Sequence, residues 1–421
     1  MRILHTADWH LGHRLYNRDR TAEHRAALDW LIKTVEDECV DVVVVAGDIF
    51  DVTNPSNQAK ELYYNFLGRL VDTCCSSAVV VGGNHDSASL LDAPRGLLRA
   101  LKLHVVGAAD GEVADRVIPV RCGEEELLVA AVPYLRERDL RTARFNENPQ
   151  EREEALRQGI RDHFEAIAVA AEERRAGRDL PIIATGHLFV SGASDDEEKK
   201  SYIYQANEHN IGAEQFPACF DYVALGHVHR AQSVGNRDHI RYAGSLVPLT
   251  FIEGQAARSV RIVDIGPAGT PVTTRKVLVP GSRQLLRLRY PLAEVETRLR
   301  EFARQAAGQD DTTLTPWAEV RVLTDEPIPN LRDRLLKVIK SAQGDTAGPP
   351  PVELVRISRE RLSPRTIGEH SAQDAVPQLD ELDPGEVFDR LCGRHEHPAA
   401  VARQLKQDFL ELRSWINEGA T

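Results

Sequence analysis

Five polar clusters each close an apolar run: Asp8 and His10 in "TADWH", Asp48 in "AGDIFD", Asn84 and His85 in "GGNHD", His187 in "ATGH", and His227 and His229 in "LGHVH". Carboxylates supply hard anionic oxygen, Asn84 a neutral carbonyl oxygen and the imidazoles neutral nitrogen, a donor set suited to divalent cations. A pair of such cations brings more positive charge than Asp8 and Asp48 cancel, and the surplus matches one hydroxide plus one phosphodiester anion. A purely carboxylate site would erase that surplus. Cations about 3.5–4 Å apart activate a water and steady both oxygens of an in-line displacement, so phosphate-ester hydrolysis is the reaction these residues favour. Asp48, in the middle of the set, is the natural bridge. His85 directly follows a candidate ligand and shares its cleft; it suits either a general acid at the leaving oxygen or a clamp on the phosphate.

Singly, each cluster has a plainer explanation. A histidine after a strand is usually a hydrogen-bonded structural residue, and "GD" or "GN" is ordinary turn chemistry. What counts is that the clusters sit at the carboxyl ends of strands, which in an α/β sheet share one edge where ligands bind. Within the first cluster, alternate residues of an extended chain would put Asp8 and His10 on one side, within reach of one metal.

The elements that must carry these ends follow from periodicity. "RILHTA", "DVVVVAGD", "AVVVGGNHD", "LPIIATGH" and "DYVALGH" are β-branched runs. Between the first three lie helical patterns, one with Ala27, Trp30, Leu31 and Val35 on one face and one with Leu62, Phe66 and Leu70. Strands alternating with helices predict an α/β layered domain. "HIRYAGS", "SVRIVDI" and "TPVTTRKVLV" then read as a meander of strands, giving a sheet sandwich flanked by helices. "DIGPAGTPV" and "VPGSRQ" place a boundary near residue 280. Beyond it the pattern is strand, helix, strand, helix, strand, a small α+β domain. "RLSPRTIGEHSAQDAVPQLD" reads as a linker. In the tail, Val401, Leu405, Phe409, Leu412 and Ile416 recur at helical spacing, as a helix packed on its own domain or one docking another protein's helices.

Composition bounds the remaining choices. The 421 residues suffice for two or three domains, and no apolar run is long enough to cross a bilayer. "MRILHTAD" turns polar by its fifth residue, unlike a signal peptide, so a cytoplasmic location is expected. The six cysteines contain no CxxC and are expected as reduced, mostly buried thiols. A net charge of −12 argues against broad adhesion to polyanions, so any nucleic-acid contact must be local. Arg14, Arg18 and Arg20 after the first cluster, and Arg136, Arg138, Arg141 and Arg144, are candidate phosphate contacts, with a solvated basic face as the alternative.

"DWH", "GDIFD", "GNHD", "GH" and "GHVH", in that order, resemble the calcineurin-like metallophosphoesterase superfamily. The fuller phrases "MRILHTADWHLG", "IIATGHL" and "YVALGHVHRAQ" are similar to the nuclease subunits with which bacteria process DNA double-strand breaks, and the likeness spans the whole chain. The resemblance implies a four-layer sandwich, two central β-sheets flanked by helices, with a small α+β capping domain and C-terminal helices. The corresponding division is residues 1–280 for the nuclease domain, 281–360 for the DNA-binding cap, 361–377 for the linker and 378–421 for the tail. It also implies a first metal held by Asp8, His10, Asp48 and His229, a second held by Asp48, Asn84, His187 and His227, and His85 as a catalytic residue that holds no metal. Two Mn2+ ions are expected, with Mg2+ as the alternative. The expected substrates are DNA duplex ends, hairpins and single strands; the expected partners are a second copy of the chain, through the helices around "LYYNFLGRL" and "LLDAPRGLLRAL", and an ATPase whose long coiled coil docks on the tail. Some relatives carry a second catalytic histidine where this chain has Asp51, a carboxylate that can orient a water or a histidine. A small-molecule phosphodiesterase or phosphatase on the same scaffold, or a scaffold that only anchors an ATPase, are the competing readings.

Overall fold

The computed structural model describes residues 1–141, 148–191, 193, 211–307, 314–343, 349–361 and 406. Residues 1–361 form one compact unit. The linker and tail helices expected after residue 361, Arg144 and Cys392 lie outside the described residues.

The first sheet has six strands: β1 (Arg2–Thr6), β2 (Val42–Ala46), β3 (Ser77–Val81), β4 (Leu103–Val106), β11 (Ser259–Asp264) and β12 (Thr273–Leu278). Across the sheet they lie in the order β12-β11-β1-β2-β3-β4. β1 to β4 run parallel, and β11 pairs antiparallel with both β1 and β12. The second sheet, also six-stranded, contains β5 (Val117–Cys122), β6 (Glu125–Ala130), β7 (Ile182–His187), β8 (Tyr222–Gly226), β9 (Gln232–Val234) and β10 (Arg237–Tyr242), ordered β9-β10-β8-β7-β6-β5. Its inner strands are parallel and its two edge pairs antiparallel.

Both faces of each sheet are buried, which explains runs such as "DVVVVAGD". Alternate residues feed different cores. Ile3, Val42, Val44, Val79, Leu127, Val129, Ile183, Tyr222 and Ala224 form the layer between the sheets. Leu4, Val43, Val45 and Val80 face outward onto α1 (Thr21–Asp37) and α2 (Asn57–Val71). Leu128, Ala130, Ala184 and Val223 face outward beneath a long helix, Pro149–Arg175. The result is helix, sheet, sheet, helix. α2 begins where the Ser56 hydroxyl accepts the Ala59 N–H at 3.2 Å, and it buries the expected Leu62, Phe66 and Leu70. On α1, Ala27, Leu31 and Val35 are buried while Trp30 is only partly covered.

Two expectations change. The meander holds for β11 and β12 but not for β10, which joins the second sheet parallel to β8. The reason is burial: Ile240 and Tyr242 of β10 fill the outer core of that sheet, while Val260 and Ile262 of β11 join Leu4 on the other side of the molecule. The described cysteines are free but not mostly buried: Cys39 and Cys74 are exposed, and Cys75, Cys122 and Cys219 partly covered. Cys39, Cys74 and Cys75 lie in the turns after α1 and α2, where the chain is at the surface.

After β12 come β13 (Arg283–Tyr290), a helix Leu292–Ala307, β14 (Leu314–Leu323), a helix Leu331–Gln343 and β15 (Glu353–Glu360). All three strands are parallel, in the order β13-β14-β15. The helices cover one face through Val295, Leu299, Leu335 and Ile339. The other face carries Leu285 and Trp317, which pack with Leu15 and Phe251 of the preceding domain.

Candidate metal centre

The chain leaving β1 runs beside the chain leaving β2. The Asp8 N–H donates to the Gly47 carbonyl at 3.0 Å, His10 N–H to the Asp48 carbonyl at 3.0 Å, and Leu11 N–H to the Ile49 carbonyl at 2.9 Å. β1 itself ends at Thr6, so Asp8 and His10 are not alternate residues of an extended strand. Both instead take left-handed backbone angles, φ 52° and 48°, as do Asp48 at 51° and His227 at 97°. Left-handed steps, rather than the pleat, turn these side chains inward. Non-glycine residues held this way cost of order 1–3 kcal/mol each, strain that collects at functional sites.

The two sheets approach unusually closely here because the facing residues are small. Ala7, Ala46 and Ala243 form a buried seam, and a Cβ placed on Gly226 of β8 would lie only 1.9 Å from the Ala46 carbonyl oxygen of β2. That approach brings His187 and His227 of the second sheet onto Asp8, Asp48 and Asn84 of the first.

The donor atoms converge. Asp48 Oδ2 lies 3.5 Å from His10 Nε2 and 3.3 Å from His187 Nε2, between the two halves of the set. Asn84 Oδ1 is 3.0 Å from both His187 Nε2 and His227 Nδ1. Asp8, His10 and His229 can offer ligand atoms to one ion, as can Asp8, Asp48 and His187. Asp8 Oδ2 and His10 Nε2 are buried without a hydrogen-bond partner, a costly state for a carboxylate oxygen unless a cation satisfies it. The residues present therefore fit divalent metal.

Neighbouring groups orient the rings. The Ala46 carbonyl, 2.9 Å from His187 Nδ1, accepts its proton and leaves Nε2 facing the centre. Glu253 Oε1, 3.1 Å from His229 Nδ1, does the same for His229. Asp51 Oδ1 lies 3.2 Å from His10 Nδ1. The Asp51 carbonyl, 2.7 Å from His85 Nδ1, fixes the exposed ring of His85 at the rim. Asp86 ties the loops together, accepting N–H bonds from Ile49, Phe50 and Gly83 at 3.1, 2.9 and 2.8 Å.

Electrostatics follow from burial against proximity. Burial alone would raise the Asp48 carboxyl, but His187, with His10 and His85, holds it well below the usual carboxylate range. Burial alone would lower His187, but Asp48 lifts it to about 9. His10 is raised against its burial by Asp51, Asp48 and Asp8. Burial and then Asp48 push Asp86 up to about 6. Without a cation, protons on the imidazoles balance the carboxylates; a bound cation takes their place.

Residues 1–231 match the family model described as calcineurin-like phosphoesterase, and residues 282–396 the one described as Type 5 capsule protein repressor C-terminal domain. The SbcD component of the SbcCD nuclease of Escherichia coli K12 is 34% identical over 97% of this chain and 97% of its own length. Its counterpart from Bacillus subtilis is 36% identical over 99% of each. The chain belongs to the SbcD family of calcineurin-like phosphoesterases. A solved dimetal phosphatase from Danio rerio is 13% identical, with a TM-score of 0.36, covering 66% of this chain and 98% of its own.

Within this SbcD-family chain the structure brings Asp8, His10, Asp48, Asn84, His85, His187, His227 and His229 together at the strand ends. It adds two residues that reading the sequence missed, Glu253 and Asp86, and sets Asp51, expected to orient a water or a histidine, beside His10. Glu253 sits in "FIEGQ", where nothing local marks it. One candidate phosphate contact is ruled out. Arg20 is buried, donating to Glu23 at 2.9 Å and to the Pro248 carbonyl at 2.8 Å, because it belongs to the seat of the β13–β15 module. Arg18 pairs with Glu353 at 2.6 Å and Arg141 with Glu137 at 2.5 Å. Arg14 and Arg138 are exposed, and Arg136 reaches the Asp86 carbonyl at 3.3 Å, close to the centre.

Proposed function

We propose that this chain is the nuclease component of an SbcCD-type complex, hydrolysing DNA phosphodiesters with two Mn2+ ions held by Asp8, His10, Asp48 and His229 and by Asp48, Asn84, His187 and His227. The observation that carries the reading is that Asp8 Oδ2 and His10 Nε2 are buried with no hydrogen bond, beside an Asp48 oxygen set between His10 and His187. The ions supply a polarised water and charge neutralisation for the phosphate. The chain supplies the rest. Asp48 spans the halves, and the Ala46 carbonyl and Glu253 keep His187 and His229 in the tautomers that face the centre. His85, held through Nδ1 by the Asp51 carbonyl, presents Nε2 at the rim, where it donates to the phosphate or to the leaving oxygen. His187 and His227 also wall a cavity of about 260 Å3 with Tyr134 and Phe164, room for chain flanking the cut.

The substrates are duplex ends, degraded 3′ to 5′, and single strands and hairpins cut internally. Residues 281–360 act as a DNA-binding cap on the nuclease domain 1–280, and the tail 378–421, after the linker 361–377, docks an SbcC-type ATPase. A homodimer is supported by the exposed Tyr64 and Val71 of α2 and Leu97 and Leu101 near Arg95–Ala100, where Val71 and Leu101 line one groove. A cytoplasmic site of action agrees with the absence, among the described residues, of any helix long and apolar enough to cross a membrane.

The test is nucleotide release from linear duplex DNA with manganese, with chelator, and with His85→Ala, beside a chromogenic phosphodiester. Degradation that chelator and the variant both abolish is expected. Cleavage of the small ester alone, even with the ATPase partner added, would mean a general phosphodiesterase.

A further inference from the structure

The carboxylate that orients His229 sits on a turn with two faces. Toward the centre, Glu253 Oε1 is 3.1 Å from His229 Nδ1, and its Oε2 accepts the Leu249 N–H at 2.9 Å and the Ser245 hydroxyl at 3.3 Å. Arg258 fastens the same turn, donating to the His229 carbonyl at 2.9 Å and to the Glu253 carbonyl. Away from the centre, the turn rests on the β13–β15 module. Phe251 is buried with Leu15, Leu285 and Trp317, and it stacks on Tyr16 with ring centroids 6.0 Å apart. A Cβ on Gly254 would meet Leu285 Cβ at 2.7 Å, so Leu285 lies directly against the residue following Glu253.

The seat is fixed in orientation as well as packed. The Arg283 guanidinium lies 4.1 Å from the Trp317 ring centroid and donates to Glu23 at 2.7 Å, the same carboxylate that takes the Arg20 bond. Tyr16, on the chain leaving His10, donates to Glu319 at 2.9 Å and accepts from Arg356 at 2.6 Å. The module therefore bears on the chain leaving His10 and on the turn that orients His229, two of the candidate ligands of the first metal. Among the described elements it makes no comparable contact with the strand that ends in His187.

We propose that the β13–β15 module is a positioning element of the metal centre: its seating through Leu285 and Trp317 holds the Glu253 turn, and so keeps His229 Nε2 aimed at the first metal. This inference rests on the ligand assignment proposed above. Its consequence is selective, since loosening the seat weakens one cation site and spares the other. Glu253 is a positioning residue, acting on the metal through His229.

The experiment is a manganese titration of the full chain without DNA, read by calorimetry and by electron paramagnetic resonance of the free ion. Leu285→Ala/Trp317→Ala is expected to weaken one of two manganese affinities by ~10–100-fold and leave the other unchanged. Glu253→Ala should do the same, and Glu253→Gln, which keeps an acceptor for the His229 proton, should recover most of the loss. Adding Glu253→Ala to the seat variant should cost nothing more, because both act on one ring. Arg298→Ala, exposed on the helix Leu292–Ala307, should leave both affinities intact. A folded seat variant with two wild-type affinities, or losses that multiply in the combined variant, overturns the proposal. Leu285→Ala alone is read in the same way where the double variant does not fold. A wild type that binds two manganese ions but spares DNA defeats the nuclease reading and leaves this one standing; one that binds none defeats both.

Discussion

Gly226→Ala is the smallest change that should take the metal centre apart. The new methyl would lie 1.9 Å from the Ala46 carbonyl oxygen and 2.9 Å from His187 Nδ1. Both partners are fixed, the first as strand backbone and the second through its 2.9 Å bond to that same carbonyl. Relief requires the two sheets to part by about 1 Å or more, which is overpacking at a cost of ~1–3 kcal/mol. The same movement carries His187 Nε2 away from Asp48 Oδ2, now 3.3 Å distant, and away from Asn84. Misplacement of about 1 Å costs of order 100-fold in rate. The assay is chromogenic phosphodiester turnover at fixed manganese, with urea unfolding in parallel. Gly281→Ala, whose Cβ position is open, serves as the neutral comparison. A folded Gly226→Ala protein with turnover and stability equal to Gly281→Ala would refute the idea that close sheet approach builds the centre.

If His85 serves the phosphate rather than a metal, as proposed above, His85→Gln should lower turnover by ~10²–10⁴-fold while leaving manganese stoichiometry unchanged; equilibrium dialysis checks the second half, and a lost ion would instead assign His85 to the His10 and Asp51 group. In metal-free protein the His187 proton is bound more tightly folded, at about 9, than unfolded, near 6.5. Its contribution, ~3 kcal/mol, is whole below pH 6.5 and disappears as pH rises through 9, so denaturant midpoints of chelated protein should fall across that range; manganese should reverse the trend. His24 is the opposite case: burial holds it down to about 3, so its contribution is whole above pH 6.5 and shrinks as pH falls toward 3. His24→Leu should flatten the acid limb of stability by ~1.4 kcal/mol per pH unit, measured by urea melts at pH 4, 5 and 6. If the proposed homodimer forms through this face, Leu97→Glu should convert it to monomers in sedimentation without loss of small-ester turnover; a wild type that sediments as a monomer would refute the homodimer.

Much of the scaffold was legible because burial on both faces forces continuous β-branched runs, and each run stops abruptly at a polar cluster. "DVVVVAGD" announces its strand and its end together. The means by which those ends converge were not legible. Asp8 and His10 look like alternating strand residues, and only the left-handed angles after Thr6 show otherwise. Ala46 and Gly226 are ordinary letters until they meet across two sheets. Glu253 acts on His229 from 24 residues away, a pairing set by tertiary contact rather than by any local pattern. Arg20 belonged, by spacing, with Arg14 and Arg18; its burial under Trp317 depends on a strand almost three hundred residues later.

β1 lies in the middle of its sheet, flanked by β2 and by β11, and a ribosome finishes β11 only at Asp264. Every candidate ligand, from Asp8 to His229, and the orienting Glu253 lie within that span. A nascent chain therefore carries isolated fragments of the centre for most of its synthesis, and none can assemble it alone. By the seating proposed above, the centre is complete only once the β13–β15 module also closes on the Glu253 turn, so translation products that stop short of β11 are expected to be inert toward the DNA around them.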